Sequence, residues 1–188
     1  MIHVPLNYKI IIFFLASAPI VWISRFSLRS CRSHGLYRFF AWEAILALIL
    51  LNLNYWFYEP FRIRQLVSWL LLIISLYLVI RGMQLLGTAG KPDSRRDDPS
   101  LLGLEKTTEL VTRGLYRYIR HPLYSSLLFL AWGAFFKMLS AAGLCLAVLA
   151  TIFLTVTAKM EEAENTIFFG PAYTIYMRKT KMFIPILF

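Results

Sequence analysis

Five long apolar segments constrain the fold of this chain more than any other feature of its sequence. Each has between 15 and 21 residues, and a helix needs about 20 apolar residues to cross the hydrocarbon core of a bilayer. In lipid the backbone polar groups of a segment must be satisfied within it, which favours helices. The sequence therefore predicts an all-α integral membrane protein with about five transmembrane helices. The segments run from about Leu6 to Ser24, Phe39 to Phe57, Leu66 to Leu86, Pro122 to Phe136 and Ala141 to Ala158.

The composition agrees with a membrane protein and argues against other classes. Hydrophobic residues make up 59% of the chain and charged residues 16%, whereas soluble domains are about half apolar. Basic residues that gather at cytoplasmic helix ends explain the net charge of +10, so no nucleic-acid partner is expected. Cys31 and Cys145 match no metal-binding spacing, and no metal site is predicted. We expect one membrane domain over residues 1–188. Residues 1–87 contain three spans, and residues 88–188 contain most of the different types of polar residue.

The distribution of Lys and Arg between the segments predicts the orientation of the chain. The loops after spans one, two and three carry four, two and seven basic residues, and the tail carries four. Basic residues favour the cytoplasmic side. The alternation therefore predicts an outside N-terminus and a cytoplasmic C-terminus, in a prokaryotic inner membrane or the endoplasmic reticulum.

Spans four and five are predicted to form a tight antiparallel hairpin, because only four residues separate them. Lys137 is expected to snorkel from its tip into the interface. A hairpin brings its two open ends to one level of the membrane. Two basic or imidazole side chains at the entry should therefore face two carboxylates at the exit: Arg120, His121, Glu161 and Glu162.

The sequence after the fifth span predicts a helical cap on the cytoplasmic side. The helix of span five is expected to continue to Phe169. Gly170 and Pro171 then end it and begin a short helix that contains Tyr173 and Tyr176.

One opposite-charge pair lies inside the apolar segments. Glu43 and Arg81 are near the predicted cytoplasmic ends of spans two and three. Charges in a membrane segment are usually paired, so we expect a structural ion pair between them.

Two motifs carry a resemblance to a known family. TTELVTRGLYRYIRHPLY, which ends at Tyr124, resembles the L-V-T-x-G-x-Y-x-x-x-R-H-P-x-Y signature of the isoprenylcysteine carboxyl methyltransferase family, which is related to the phospholipid methyltransferases. EEAENTIFFGPAYTIYMRKTKMFIP is similar to the family's E-E-x6-F-G-x-x-Y-x-x-Y ending. The resemblance covers about Glu105 to Pro185, and the first three spans match only in hydropathy and number.

The resemblance implies methyl transfer from S-adenosylmethionine to a membrane-borne substrate, with the catalytic half in 88–188. By position, it places the family's catalytic or substrate-side pair on Arg120 and Glu161. It places the cofactor contacts, with Glu162 from the same acidic motif, on Leu110, Val111, Tyr116, His121, Pro122, Tyr124 and Glu162.

These residue types suit that chemistry. His121 and backbone N–H groups at the start of span four can meet the carboxylate of the cofactor, and a glutamate can receive its ammonium or ribose diol. Tyrosine rings attract a sulfonium by cation–π interaction. Arg120 can hold an anionic nucleophile or a phosphate head group with two hydrogen bonds.

One departure from the family pattern leaves the methyl acceptor open. Carboxyl-methylating relatives carry an arginine one helical turn before the first glutamate, and here that position is Thr157. A prenylated cysteine, a phospholipid amine or another small apolar nucleophile remain as acceptors, with O-, N- or S-methylation. The expected partners are this lipophilic substrate and membrane lipids, with no obligate protein partner.

Two other functions compete with methyl transfer. Sterol reductases have a similar C-terminal signature but bind NADPH, and they are usually longer, with more spans. A non-catalytic membrane protein that retains the site is the other alternative, and the intact Arg120, His121 and Pro122 argue against it.

Overall fold

The computed structural model describes residues 4–29, 33–90 and 107–185, and the elements in these ranges are helical. Short 3-10 turns lie at Ser27–Arg29, Leu53–Tyr55 and Gly114–Arg117. The six α-helices are α1 (Leu6–Ser24), α2 (His34–Leu51), α3 (Ile63–Ala89), α4 (Pro122–Phe135), α5 (Ala141–Phe169) and α6 (Pro171–Lys179).

Four of the helices, α1, α2, α3 and α5, are long and apolar enough to cross a membrane. This confirms the predicted all-α membrane protein. The fourth predicted span forms α4, which has 14 residues. At 1.5 Å per residue, α4 is about 21 Å long, less than the roughly 30 Å of a hydrocarbon core.

The second helix differs from the predicted span Phe39 to Phe57, because it starts and ends earlier in the chain. Ser33 caps its start, where the Ser33 hydroxyl accepts a hydrogen bond of 3.2 Å from the Gly35 N–H. Asn52 follows its end and donates 2.8 Å to the carbonyl of Ala134 in α4. A serine cap and an interhelical hydrogen bond therefore set the bounds that hydropathy placed too late.

The helices pack mainly in two pairs, α3 with α4 and α2 with α5, and α4 also contacts α5. Small side chains let the backbones approach closely in the centre of the membrane part. The central cluster contains Ala44, Ile45, Leu48, Ala131, Ala134, Ala147 and Ala150.

The predicted ion pair between Glu43 and Arg81 is wrong. Glu43 faces α1, where its Oε2 accepts a hydrogen bond of 2.6 Å from Ser17. Arg81 is exposed and donates 3.1 Å to Gln84 on its own helix. A hydroxyl on the neighbouring helix, rather than a charge on α3, is the partner of this carboxylate.

The prediction that Lys137 snorkels is also wrong, because its side chain is fully buried. Its ammonium donates 3.1 Å to Oε1 of Gln65 and lies 3.5 Å from the ring centroid of Trp69. The ring centroid of Trp56 is farther from the ammonium, at 5.3 Å. A cation over two indole rings is attracted to their π faces. These partners fasten the α4–α5 connection to α3 and to the loop that precedes it.

Candidate functional site

The C-terminal stretch holds the backbone of the central motif in place. The Arg120 N–H donates 2.8 Å to the carbonyl of Lys181, and the Lys181 N–H donates 3.0 Å to the carbonyl of Tyr118. The His121 N–H donates to the carbonyl of Met182 at 3.2 Å. The residues just before α4 are therefore fixed by residues just after α6, although more than sixty positions separate them in the chain.

The Arg120 side chain joins α5 to the end of α6. Its Nε lies 2.5 Å from Oε1 of Glu162. Its Nη1 donates to the carbonyls of Met177, at 3.2 Å, and Thr180. Both charged side chains are at most 10% exposed, so this is a partly buried, charge-assisted contact of the stronger kind.

His121 shares the same carboxylate. Its Nε2 is 3.3 Å from Oε1 of Glu162, and its Nδ1 is 3.9 Å from Oε2 of Glu161. The ring stacks on Tyr124 with 5.4 Å between centroids. Glu162 is thus engaged by two cationic or imidazole groups, while Glu161 is the more exposed carboxylate, at 19%.

A small cavity lies beside these groups, between the ends of α3 and α5, the 107–120 segment and α6. Some of its lining residues were predicted from the sequence as site residues, and others were not. It is lined by Leu86, Thr107, Leu110, Val111, Tyr116, Arg120, Glu161, Asn165, Phe169, Tyr173 and Tyr176.

Five of the predicted site residues line this cavity, and four lie behind it. Leu110, Val111, Tyr116, Arg120 and Glu161 form part of its wall. The other four are buried next to it: His121, Pro122, Tyr124 and Glu162. Tyr124 packs in a cluster with Phe183 and Leu154, and Pro122 is the first residue of α4. The structure therefore brings the predicted set together but separates lining residues from supporting ones.

Several lining residues were outside the predicted set. Asn165 and Phe169 follow Glu161 at spacings of four and eight, so they lie on one face of α5, and this spacing was a usable signal. Asn165 donates to Glu161 at 3.5 Å. Tyr173 and Tyr176 belong to the tail motif. Leu86, on α3, had no signal in the sequence, because only helix packing brings it here. Thr107 lies in the quoted stretch but before Leu110, the first residue of the signature.

The two tyrosines of α6 are protonated parts of the wall. Burial raises the pKa of Tyr173 and of Tyr176 well above the ordinary value of a phenol. The Tyr176 hydroxyl donates 2.6 Å to the carbonyl of Tyr116. The hydroxyl and the carbonyl join α6 to the central motif at a second point, besides the Arg120 side chain.

Thr157, where carboxyl-methylating relatives carry arginine, is fully buried. Its hydroxyl donates 2.7 Å to the carbonyl of Phe153 one turn earlier in α5. This position therefore offers no cation to a ligand.

The side chains that line the cavity are suited to bind S-adenosylmethionine, but the cavity is too small to contain it. Glu161 and Asn165 offer acceptors for an ammonium or a diol, and the aromatic rings suit a base and a sulfonium. The cavity encloses about 50 Å³, far below the roughly 300–1,000 Å³ of sites for drug-sized ligands. A cofactor of that size requires part of the wall to move outward.

Comparison with known proteins points in the same direction. A model of the phospholipid methyltransferase family matches residues 63–169. No solved structure matches the chain significantly.

The curated relatives that match share one enzyme name. Methanethiol S-methyltransferase 1 of Bradyrhizobium diazoefficiens is 33% identical over 86 residues, 45% of this chain and 30% of the relative. Methanethiol S-methyltransferase of Crocosphaera subtropica is 32% identical over 74 residues, 39% of this chain and 28% of the relative. The enzyme of the same name from Pseudomonas deceptionensis is 25% identical over 119 residues, which are 63% of this chain and 42% of the relative. The matches thus span less than half the length of these relatives.

Proposed function

Since the chain belongs to the phospholipid methyltransferase family, we propose that it is an integral membrane methyltransferase that uses S-adenosylmethionine. The observation that carries the proposal is the position of Glu161. This carboxylate faces an aromatic cavity at one end of the membrane helices, while its neighbour Glu162 is held by Arg120 and His121. The names of the matching relatives contain methyltransferase and not reductase, which favours methyl transfer over NADPH chemistry.

The cofactor would be held by the residues that line the cavity. S-adenosylmethionine, when bound, supplies an electrophilic methyl group on a positively charged sulfur. Asn165 would accept a hydrogen bond from its ammonium or ribose hydroxyls, which leaves Glu161 for the methyl acceptor. The rings of Tyr116, Phe169 and Tyr173 would pack on its flat and cationic parts. His121 supports the site from behind through Glu162.

Arg120 is best explained as a positioning residue. Two of its three nitrogens are already used, Nε by Glu162 and Nη1 by backbone carbonyls at the end of α6. The sequence suggested that Arg120 binds a substrate anion with two parallel hydrogen bonds. Such a contact needs two neighbouring guanidinium N–H groups that have no other partner. We therefore assign Arg120 to the placement of Glu162 and of α6.

The acceptor that fits best is a small apolar thiol. A carboxylate acceptor would need a second cation, and Thr157 carries no charge. Arg120 is already paired with Glu162. The relatives are named for methanethiol S-methylation. Methylation of a thiol releases a proton, and Glu161, the carboxylate that lines the cavity, could receive it. A phospholipid amine is the competing acceptor, because the family is named for phospholipids.

The site would face the cytoplasm. The basic residues around it, such as Arg113, Arg117 and Lys181, favour this side, and S-adenosylmethionine is a polar, cytosolic molecule. An N-terminus outside and a C-terminus inside follow from that orientation. A reporter fused to the C-terminus would give a cytoplasmic signal, and an external signal would reject the orientation.

Calorimetric titration of the purified protein in detergent tests the cofactor. We expect S-adenosylhomocysteine to bind and NADPH not to bind; the reverse result would reject the proposal. Transfer of a labelled methyl group to methanethiol or to phosphatidylethanolamine then identifies the acceptor. Labelling of the lipid alone would overturn the thiol assignment without affecting the cofactor assignment.

A further inference from the structure

A second cavity lies on the other side of Tyr176 from the candidate site. It has a volume of about 600 Å³ and lies between α6 and the segment that contains the 3-10 turn Gly114–Arg117. It shares Leu110 and Tyr176 with the first cavity. Methyl transfer, as proposed above, gives it no role.

Its charged lining is entirely basic in the part of the chain that the structure describes. Arg117 and Lys179 line it, together with the hydroxyl-bearing Thr112 and Thr180. Both cations are exposed. Within the described residues neither makes an ion pair or a hydrogen bond, and Arg117 lies only over the ring of Tyr118, at 5.9 Å. Two cations at one opening, without a carboxylate in the described lining, are complementary to an anion.

The remaining wall is apolar, and most of it belongs to α6. Leu110, Ala172 and Ile175 contribute aliphatic side chains, and Ile175 is 54% exposed. α6 starts directly after α5, which is long and apolar enough to span the membrane. A ligand that satisfies both walls has an anionic head and a hydrocarbon tail.

We propose that this cavity binds the head group of an anionic phospholipid. Arg117 and Lys179 contact the phosphate, Thr112 offers a hydroxyl, and Ile175 packs against the first part of an acyl chain. Interfacial cations attract anionic lipids strongly enough for such a site. The site does not depend on the methyltransferase proposal. A free phosphate shares the head-group chemistry but leaves Ile175 without a partner.

Lipid titration of the full-length chain in detergent, followed by native mass spectrometry, tests the proposal. Dioleoylphosphatidylglycerol should bind at least tenfold more tightly than dioleoylphosphatidylcholine. The double variant Arg117→Gln/Lys179→Gln should weaken phosphatidylglycerol binding by about thirty-fold, the loss expected for two interfacial cations. Ile175→Gln should also weaken it, with no change in surface charge.

The matched control is Arg113→Gln/Arg178→Gln, which removes the same charge from two nearby exposed cations outside the cavity. It should change binding less than threefold. An equal loss in both double variants would show general surface attraction and would overturn the proposal. Displacement of the lipid by millimolar inorganic phosphate would also overturn it, because the ligand would then be a soluble phosphate.

Discussion

Nδ1 of His34 lies 2.8 Å from Oε2 of Glu164, so the first residue of α2 is paired with a carboxylate near the end of α5. The His34 side chain is fully buried, and Glu164 is 32% exposed. On the other side of α5, Glu162 is held by Arg120 and His121. The last turns of α5 are therefore fixed from two directions.

This double attachment explains which residues of α5 face the cavity. At 100° per residue, Glu162 and Glu164 are about 160° apart around the helix axis on the side that carries the cavity. Glu161 and Asn165 fall between them, and both line the cavity. The two attachments set the rotation of α5, and that rotation sets the direction of Glu161.

We predict that His34→Ala lowers turnover at least tenfold, whereas His34→Gln, which keeps a donor for Glu164, retains most of it. The expected loss is in kcat more than in KM for the cofactor, because Glu161 is misdirected rather than removed. Steady-state kinetics with both substrates measures the two constants. If His34→Ala lost only thermal stability, with kcat unchanged, the attachment would be structural and not a determinant of the site.

The contacts of Arg120 lead to a second prediction. Arg120→Lys cannot replace the bonds from both Nε and Nη1, so α6 should loosen. We expect a loss of about 2 kcal/mol in stability, from hydrogen bonds to charged groups, together with lower turnover. Thermal unfolding in detergent measures the first effect. Arg117→Lys, an exposed and unpaired neighbour among the described residues, is the control and should unfold as the wild type does.

Glu161 is predicted to be essential for the chemistry but not for the fold. Glu161→Gln keeps the size of the side chain and removes the charge. General-base catalysis contributes about 10²–10⁴ in rate, so a loss of at least a hundredfold in methyl transfer is expected, with an unchanged melting temperature. Glu59→Gln, the same change near the opposite end of the molecule, should leave the rate unaltered. A fully active Glu161→Gln enzyme would remove the proton-acceptor role.

Several parts of the fold and the site were readable from local sequence. Helix α5 and its stop follow from apolar length and from the Gly170-Pro171 pair, and the glycine adopts φ +60° in the structure. The approach of Arg120 to Glu162 follows from the short connection between α4 and α5. These features depend on neighbouring residues, which periodicity and turn chemistry describe.

Other parts depend on which helices pack together, and hydropathy does not encode that. Lys137 is buried because Trp69 and Gln65 of α3 lie beside it. Glu43 accepts a hydrogen bond from Ser17 because α1 packs along α2. A charge inside an apolar chain indicates that a partner exists, but the sequence does not say on which helix.

The small volume of the candidate cavity predicts movement of its cover when the cofactor binds. α6 contributes Tyr173 and Tyr176 and is joined to α5 by Gly170 alone. We expect S-adenosylhomocysteine to change amide hydrogen exchange in residues 171–179 and to leave the 44–48 segment of α2 unchanged. Exchange measured by mass spectrometry with and without ligand tests this. Equal exchange in α6 in the two states would mean that the cofactor enters by another wall.

Lys137 makes the stability of the protein depend on pH in the alkaline range. Burial lowers the pKa of Lys137 to about 8, below the roughly 10.4 of an unfolded lysine. Between these values the unfolded chain binds the extra proton, so the free energy of unfolding rises with pH.

From pH 7.5 to 9.5 the predicted gain is about 2 kcal/mol, and the rise stops below about pH 7, where the lysine is protonated in both states. Thermal unfolding in detergent at pH 7.5 and 9.5 measures it against Lys137→Met, which has no ionisable group at this position and should lack the rise. A wild-type curve parallel to that of the variant would mean that the indole rings of Trp56 and Trp69 keep the ammonium charged throughout this range.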